Sequence, residues 1–150
     1  MDQLWFRTDM FAVARDEDEE TNPFCYGREL AGWLKGKFEE RGYAPEATIP
    51  EDWGWCVVLS RKEGLLFVGC GNLRSELLES VPPAQKAAFV PDGAAMTWTA
   101  FIGSDKPGWS IRFGERRAAK ERLAKAAAKA KADLGNILKS EGRIVLVEQP

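Results

Sequence analysis

The sequence predicts an α+β domain: a mostly antiparallel sheet of five to six strands with two main helices packed on one face. Three observations carry this. Two segments, one around residue 30 and one from about Glu115 to Lys139, repeat apolar residues at helical spacing. Short apolar or alternating segments separate and flank them. Two of those segments are joined by only four residues, Arg61 to Gly64, which is too short for anything but an antiparallel hairpin. A chain of 150 residues buries roughly 70% of its unfolded surface in one core, so a single domain over residues 1–150 is expected.

The elements follow in order. Residues 4–14 are aromatic and β-branched and read as a first strand, closed by the acidic run Asp16 to Glu20, a solvated loop. Asn22-Pro23 offers a cap and a first-turn proline for a helix. Its buried face is Tyr26, Leu30, Leu34 and Phe38, with Trp33 beside them, and Gly42 ends it. The hairpin joins Trp55–Ser60 to Leu65–Cys70, with Gly64 at the left-handed position of a three-residue loop. In that register Cys56 stands opposite Cys70.

Asn72 to Val81 suits a short helix, and residues 73–95 as a whole read as a loop or an insertion. Met96 to Ile102 alternates, with Met96, Trp98, Ala100 and Ile102 toward the core and Thr97, Thr99 and Phe101 away from it. Gly103 to Gly108 turns the chain. The long helix carries Leu123, Ala127, Ala130, Leu134, Ile137 and Leu138 on one face, and Arg143 to Val147 closes the domain as a strand.

Composition narrows the chemistry. Histidine is absent, which removes imidazole-dependent nucleophile triads and most zinc and iron sites. Three cysteines, Cys25, Cys56 and Cys70, stand at no zinc spacing and suit reduced, packed thiols. No metal and no cofactor is expected. Neither a secretory leader nor a membrane-length apolar run is present in the sequence, so the expected address is the cytoplasm.

Charge is polarised beneath a net of −2. Residues 1–52 hold thirteen acids against six bases, and residues 53–150 hold ten against fifteen. Arg112 to Lys131 alone carries eight bases and two acids. Arg116, Arg117, Lys120, Lys125 and Lys129 are therefore the candidates for a phosphate-tracking surface. Against that, no aromatic residues interleave them, and a solvated helix face answering the acidic N-terminal third explains them better.

Two motifs stand out. Pro50-Glu51-Asp52-Trp53-Gly54-Trp55 forms a rigid corner bearing two carboxylates and two indoles, with Gly54 permitting entry into the hairpin. Its candidate binding residues are Glu51, Asp52 and Trp53. Adjacent carboxylates on extended chain diverge, which argues against an acid/base pair and leaves an enzyme using Glu51 or Asp52, or a nucleophilic Cys70, as a third reading. Gly69-Cys70-Gly71-Asn72 lacks the third glycine and the parallel βαβ setting of a phosphate-binding turn, and suits a strand end passed closely by other backbone.

Leu30-Ala31-x-Trp33-Leu34, Gly42, the Pro50 to Trp55 corner, Val68-Gly69-Cys70-Gly71-Asn72, the strand at Trp98 and the leucine-spaced last helix together resemble small uncharacterised bacterial proteins of about this length. The resemblance spans nearly the whole chain. It implies a bacterial origin, a stand-alone domain and the importance of the two motifs, and nothing catalytic. The expected function is a non-catalytic cytoplasmic interaction domain of the immunity or adaptor type that binds another protein, with nucleic-acid binding through residues 112–131 as the alternative.

Overall fold

The computed structural model describes residues 3–105 and 113–150. Six strands form one sheet: β1 (Leu4–Arg7), β2 (Ile49–Glu51), β3 (Gly54–Ser60), β4 (Leu65–Asn72), β5 (Trp98–Asp105) and β6 (Val145–Val147). Their order is β2-β3-β4-β5-β1-β6, and every neighbouring pair is antiparallel. Two long helices, α1 (Arg28–Glu40) and α3 (Phe113–Ser140), pack on one face, α1 against β3 and β4 and α3 mainly against β5. The result is the α+β domain that the periodicities indicate.

Burial of one side of each element makes the core. Leu30, Leu34 and Phe38 from α1 and Leu134 and Leu138 from α3 meet Phe6, Val57, Val68 and Trp98 from the sheet. Each buried large side chain contributes about 1.5–3 kcal/mol of transfer free energy, so this layer dominates the stability of the fold. A short helix, α2 (Arg74–Ser80), adds Leu77 at the sheet's end. Two 3-10 turns, Pro83–Ala88 and Gly93–Ala95, complete the segment between α2 and β5.

The C-terminus of α1 behaves as its sequence indicates. Gly42 takes a positive φ of 91°, its N–H bonds Glu39 O, the Tyr43 N–H bonds Phe38 O, and the Tyr43 ring packs edge-on against Phe38. This is a Schellman ending with its hydrophobic clasp. Asp133 of α3 then ties the corner down, accepting from Tyr43 Oη at 2.7 Å and Lys129 Nζ at 2.8 Å and pairing with Arg41.

Five expectations need correction. The turn expected from Gly103 to Gly108 does not begin at Gly103, because β5 runs on through Asp105; the remainder of that expectation, and Arg112 of the basic segment, lie outside the described residues. The first strand ends at Arg7 instead of continuing to residue 14, and Phe11 and Val13 reach the core from irregular chain. The acidic run is not wholly solvated: Glu17 is buried, with 2% of its surface exposed.

The helix does not start at Asn22-Pro23. Phe24 takes φ 66° and Gly27 φ 143°, conformations incompatible with a right-handed helix, so α1 begins at Arg28. Gly27 provides no side-chain cap, and Glu17 Oε2 substitutes for one by accepting from Gly27 N (2.8 Å) and Arg28 N (3.2 Å).

Finally, Cys56 lies opposite Gly69, and Cys70 lies opposite Trp55. Near the turn, Ser60 pairs with Leu66 as the three-residue loop requires, but a bulge between Val58 and Ser60 shifts the register by one. A one-residue shift turns every side chain over, so Cys56 and Cys70 point to opposite faces.

Candidate functional site

Directly opposed residues in an antiparallel pair share a face. Three rows therefore define the side of the sheet turned away from α1 and α3: Ile49, Cys56, Gly69 and Phe101; Val147, Trp5, Thr99 and Gly71; and Val58, Phe67 and Gly103. Glycine and aromatic residues pair across strands here. The Phe101 ring lies over Gly69, where a Cβ would stand 2.2 Å from Cζ, and the Phe67 ring lies over Gly103 in the same way. Small residues beneath let the ring tips sit directly against the backbone, with the two rings at 78° to each other. Trp53 joins them, its ring 5.4 Å from Phe101 and 6.5 Å from Phe67 between centroids.

These rings line a hollow of about 730 Å³. Trp5, Trp53, Phe67 and Phe101 supply apolar walls, Gly71 and Thr99 contribute from the strands, and Gln3, Asn22, Cys25, Asp52, Asn72 and Arg74 supply polar edges. The size and the predominance of aromatic lining are those of a binding site.

Three stretches distant in sequence converge to form it. Asn72 holds the 22–27 loop, accepting from Tyr26 N at 2.8 Å and donating to Phe24 O at 3.1 Å. Arg74 Nε donates to Pro23 O, and Asn22 Nδ2 donates to Asp52 O. Gly27 and Gly54 both pack on the Cys70 carbonyl, where a Cβ would stand 2.8 Å and 2.3 Å from its oxygen. The Pro50 to Trp55 corner and the Val68 to Asn72 strand end, separate in the sequence, are thus one assembly.

Within that assembly the candidate residues divide. Trp53 is exposed at 41% and stands at the hollow. Asp52 lines it, whereas Glu51 is exposed on β2 and does not. Cys70 is fully buried on the helix side, and burial pushes its thiol well above the ordinary range. Cys56 is pushed up to about 11 by burial, with the Glu51 charge adding to the effect. Cys25, which lines the hollow, is also raised by burial, partly opposed by Arg74. All three thiols are held protonated near neutral pH, the weakly nucleophilic form.

The basic candidates sit elsewhere. Arg116, Arg117, Lys120, Lys125 and Lys129 belong to α3, on the other side of the sheet from the hollow. Arg117, Lys120 and Lys125 are exposed and Arg116 is half-buried. Lys129 is engaged with Asp133 and with Tyr43, whose ring lies 4.8 Å beneath it.

The sequence reading did not single out Trp5, Phe67, Thr99, Phe101, Cys25 or Arg74 as site residues. The alternation along β5 already turned Thr99 and Phe101 away from the core, and that signal locates this face. No protein-family model, curated protein or solved structure matches the chain. Among the described residues no helix is long and apolar enough to cross a membrane.

Proposed function

We propose that this chain is a non-catalytic binding domain that takes another protein on the face opposite its long helices, anchored at Trp53. The observation that carries the reading is the Trp53 indole, two-fifths exposed at the tip of a corner fixed by Gly54 and by the Asn22 to Asp52 hydrogen bond. A large ring held rigidly and left partly wet loses little conformational freedom on binding and gains from desolvation, which is the character of an interface hot spot.

The breadth of the apolar face supports a partner larger than the hollow itself. It runs from Ile49 on one edge strand to Val147 on the other, across six strands, or roughly 24 Å at the usual strand spacing. Ile49, like Trp53, is exposed. Asp52 beside Trp53 supplies a charged rim, where such groups govern partner choice and encounter rate.

The test is parallel affinity capture from the source organism with wild type, Trp53→Ala and a Lys120→Glu/Lys125→Glu control, followed by titration of the purified pair. The expected result is a stoichiometric partner retained by wild type and the control, with affinity reduced about 30-fold or more in Trp53→Ala, the loss of a hot-spot side chain. A partner indifferent to Trp53, or none in stoichiometric amount, refutes the reading.

A further inference from the structure

Two side chains that line the hollow carry hydrogen-bonding atoms that the fold itself covers and does not use. Trp5 Nε1 and Thr99 Oγ1 are both shut off from solvent and have no hydrogen-bond partner. They belong to directly opposed residues of β1 and β5, and both residues line the hollow. Trp55 Nε1 shares that state but belongs to the core face. A buried, unpaired polar atom costs about 1–3 kcal/mol, so two on adjacent side chains of one cavity call for an explanation.

Both atoms can donate, and only the hydroxyl can also accept. Of the other polar side chains at the hollow, Asn72 is consumed by the Phe24 and Tyr26 backbone, Asn22 donates to Asp52 O, and Gln3 is exposed at the edge. At the mouth Asp52 and Arg74 contribute one charge of each sign. The Thr99 methyl faces the Gly71 site, 3.7 Å from where a Cβ would stand there. One χ1 step exchanges that methyl for the hydroxyl and presents the donor to the cavity.

From this geometry we infer that the hollow is a small-molecule site for a flat aromatic compound bearing a hydrogen-bond acceptor such as a carbonyl oxygen. Trp53 and Phe67, inclined at 35° to each other, offer their faces to the flat part, Phe101 at 78° to Phe67 meets it edge-on, and Trp5 Nε1 and Thr99 Oγ1, brought into the hollow by rotation of their side chains, bond the acceptor. The site shares Trp53 with the protein-partner reading but rests on the Trp5 and Thr99 polar atoms, which that reading does not use.

The acceptor can be isolated with two probes of nearly equal shape, 2-acetylnaphthalene and 2-ethylnaphthalene. Each is titrated into the full chain and followed by tryptophan fluorescence and by proton–nitrogen NMR of the indole N–H signals. Hydrophobic transfer alone favours the hydrocarbon. The proposal expects saturable one-to-one binding in which the ketone is preferred by ~5-fold or more, with the Trp5 indole signal moving on ketone binding.

Thr99→Val keeps the shape and removes an unpaired hydroxyl, so this variant folds at least as stably as wild type. In Thr99→Val and in Trp5→Phe the ketone preference shrinks toward unity, while the hydrocarbon still binds. Saturable binding of neither probe, equal or tighter binding of the hydrocarbon, or a ketone preference unchanged in both variants overturns the proposal. None of these outcomes bears on the protein-partner reading, which the Trp53→Ala capture decides.

Discussion

Removing the Glu17 carboxylate should detach the start of α1 from the loop that precedes it. Glu17 lies ten residues before Gly27, and its Oε2 is the side-chain acceptor for the Gly27 and Arg28 N–H groups. In Glu17→Ala both donors lose that acceptor at the positive end of the helix, one of them in a fully buried bond. Loss of a cap costs about 1 kcal/mol, and leaving a buried donor unpaired adds a similar amount, so the expected loss is roughly 2 kcal/mol. That is a large share of a typical domain stability of about 5–15 kcal/mol, and urea unfolding measures it directly. Glu17→Gln retains an acceptor and should lose less.

The pH profile supplies a second check. Burial raises the Glu17 carboxyl above its ordinary 4.5, against the opposing pull of the two N–H groups and of Arg28. Between 4.5 and the raised folded-state value, the unfolded chain has already released the proton that the folded chain keeps. The contribution of protonated Glu17 is thus complete below 4.5 and is lost as pH rises through the folded-state value. The stability of wild type minus that of Glu17→Gln should fall over this window and then level off. A Glu17→Ala cost below about 0.5 kcal/mol would refute the capping role. A difference that climbs with pH would refute the burial account.

Three further outcomes are expected. Gly69→Ala places a Cβ 2.2 Å from the Phe101 ring and should cost about 1–3 kcal/mol, whereas Gly71→Ala meets nothing closer than 3.4 Å and should be nearly neutral; equal urea midpoints for the two would contradict the ring-over-glycine packing. Mild oxidation should leave Cys56 and Cys70 unlinked, because they face opposite sides of the sheet, and a mass loss of two hydrogens mapped to that pair would overturn the shifted register. Asp133 is held below its ordinary 3.8 by the bonds from Lys129 and Tyr43, so its contribution is present above 3.8 and lost as pH falls through the lowered value. Asp133→Asn should therefore flatten the acid limb of the unfolding profile, and an unchanged limb would count against this bridge.

Wherever burial follows a simple period, the sequence was sufficient. Leu30, Leu34 and Phe38 at fourfold spacing, the leucines of α3 and the alternation at Trp98, Ala100 and Ile102 all face the core they indicate. The misplacements come from interactions between distant residues. Asn22 and Pro23 form a good local helix start, but Asn22 Nδ2 goes to Asp52 and the Pro23 carbonyl to Arg74, and the chain reaches α1 only after Phe24 and Gly27 at positive φ. The cap then comes from Glu17, inside a run whose composition indicates only a wet loop. The hairpin loop was read correctly and its register was not, because a bulge at Leu59 leaves no mark in the residue pattern. The hollow was half legible: Trp53 marks its edge from the sequence, whereas Trp5 and Phe67 join it only through strand order.

The two sequence motifs acquire a common physical reason from this arrangement. Gly27 from the loop before α1 and Gly54 from the Trp53 corner both press against the carbonyl of Cys70, at distances that no side chain permits. Gly71 follows at once and contributes to the hollow without a side chain of its own. The strand end at Cys70–Gly71 is therefore clasped by two segments. One carries Trp53 to the hollow, and the other brings Asn22 and Cys25 to it and is itself anchored to Glu17 through Gly27. Disturbing Glu17 should consequently be felt in the hollow as well as in α1, since the Gly27 N–H that it holds belongs to the residue packed on Cys70. A binding surface built this way draws its rigidity from backbone contacts that only glycine allows, and its chemistry from the few large side chains left to stand over them.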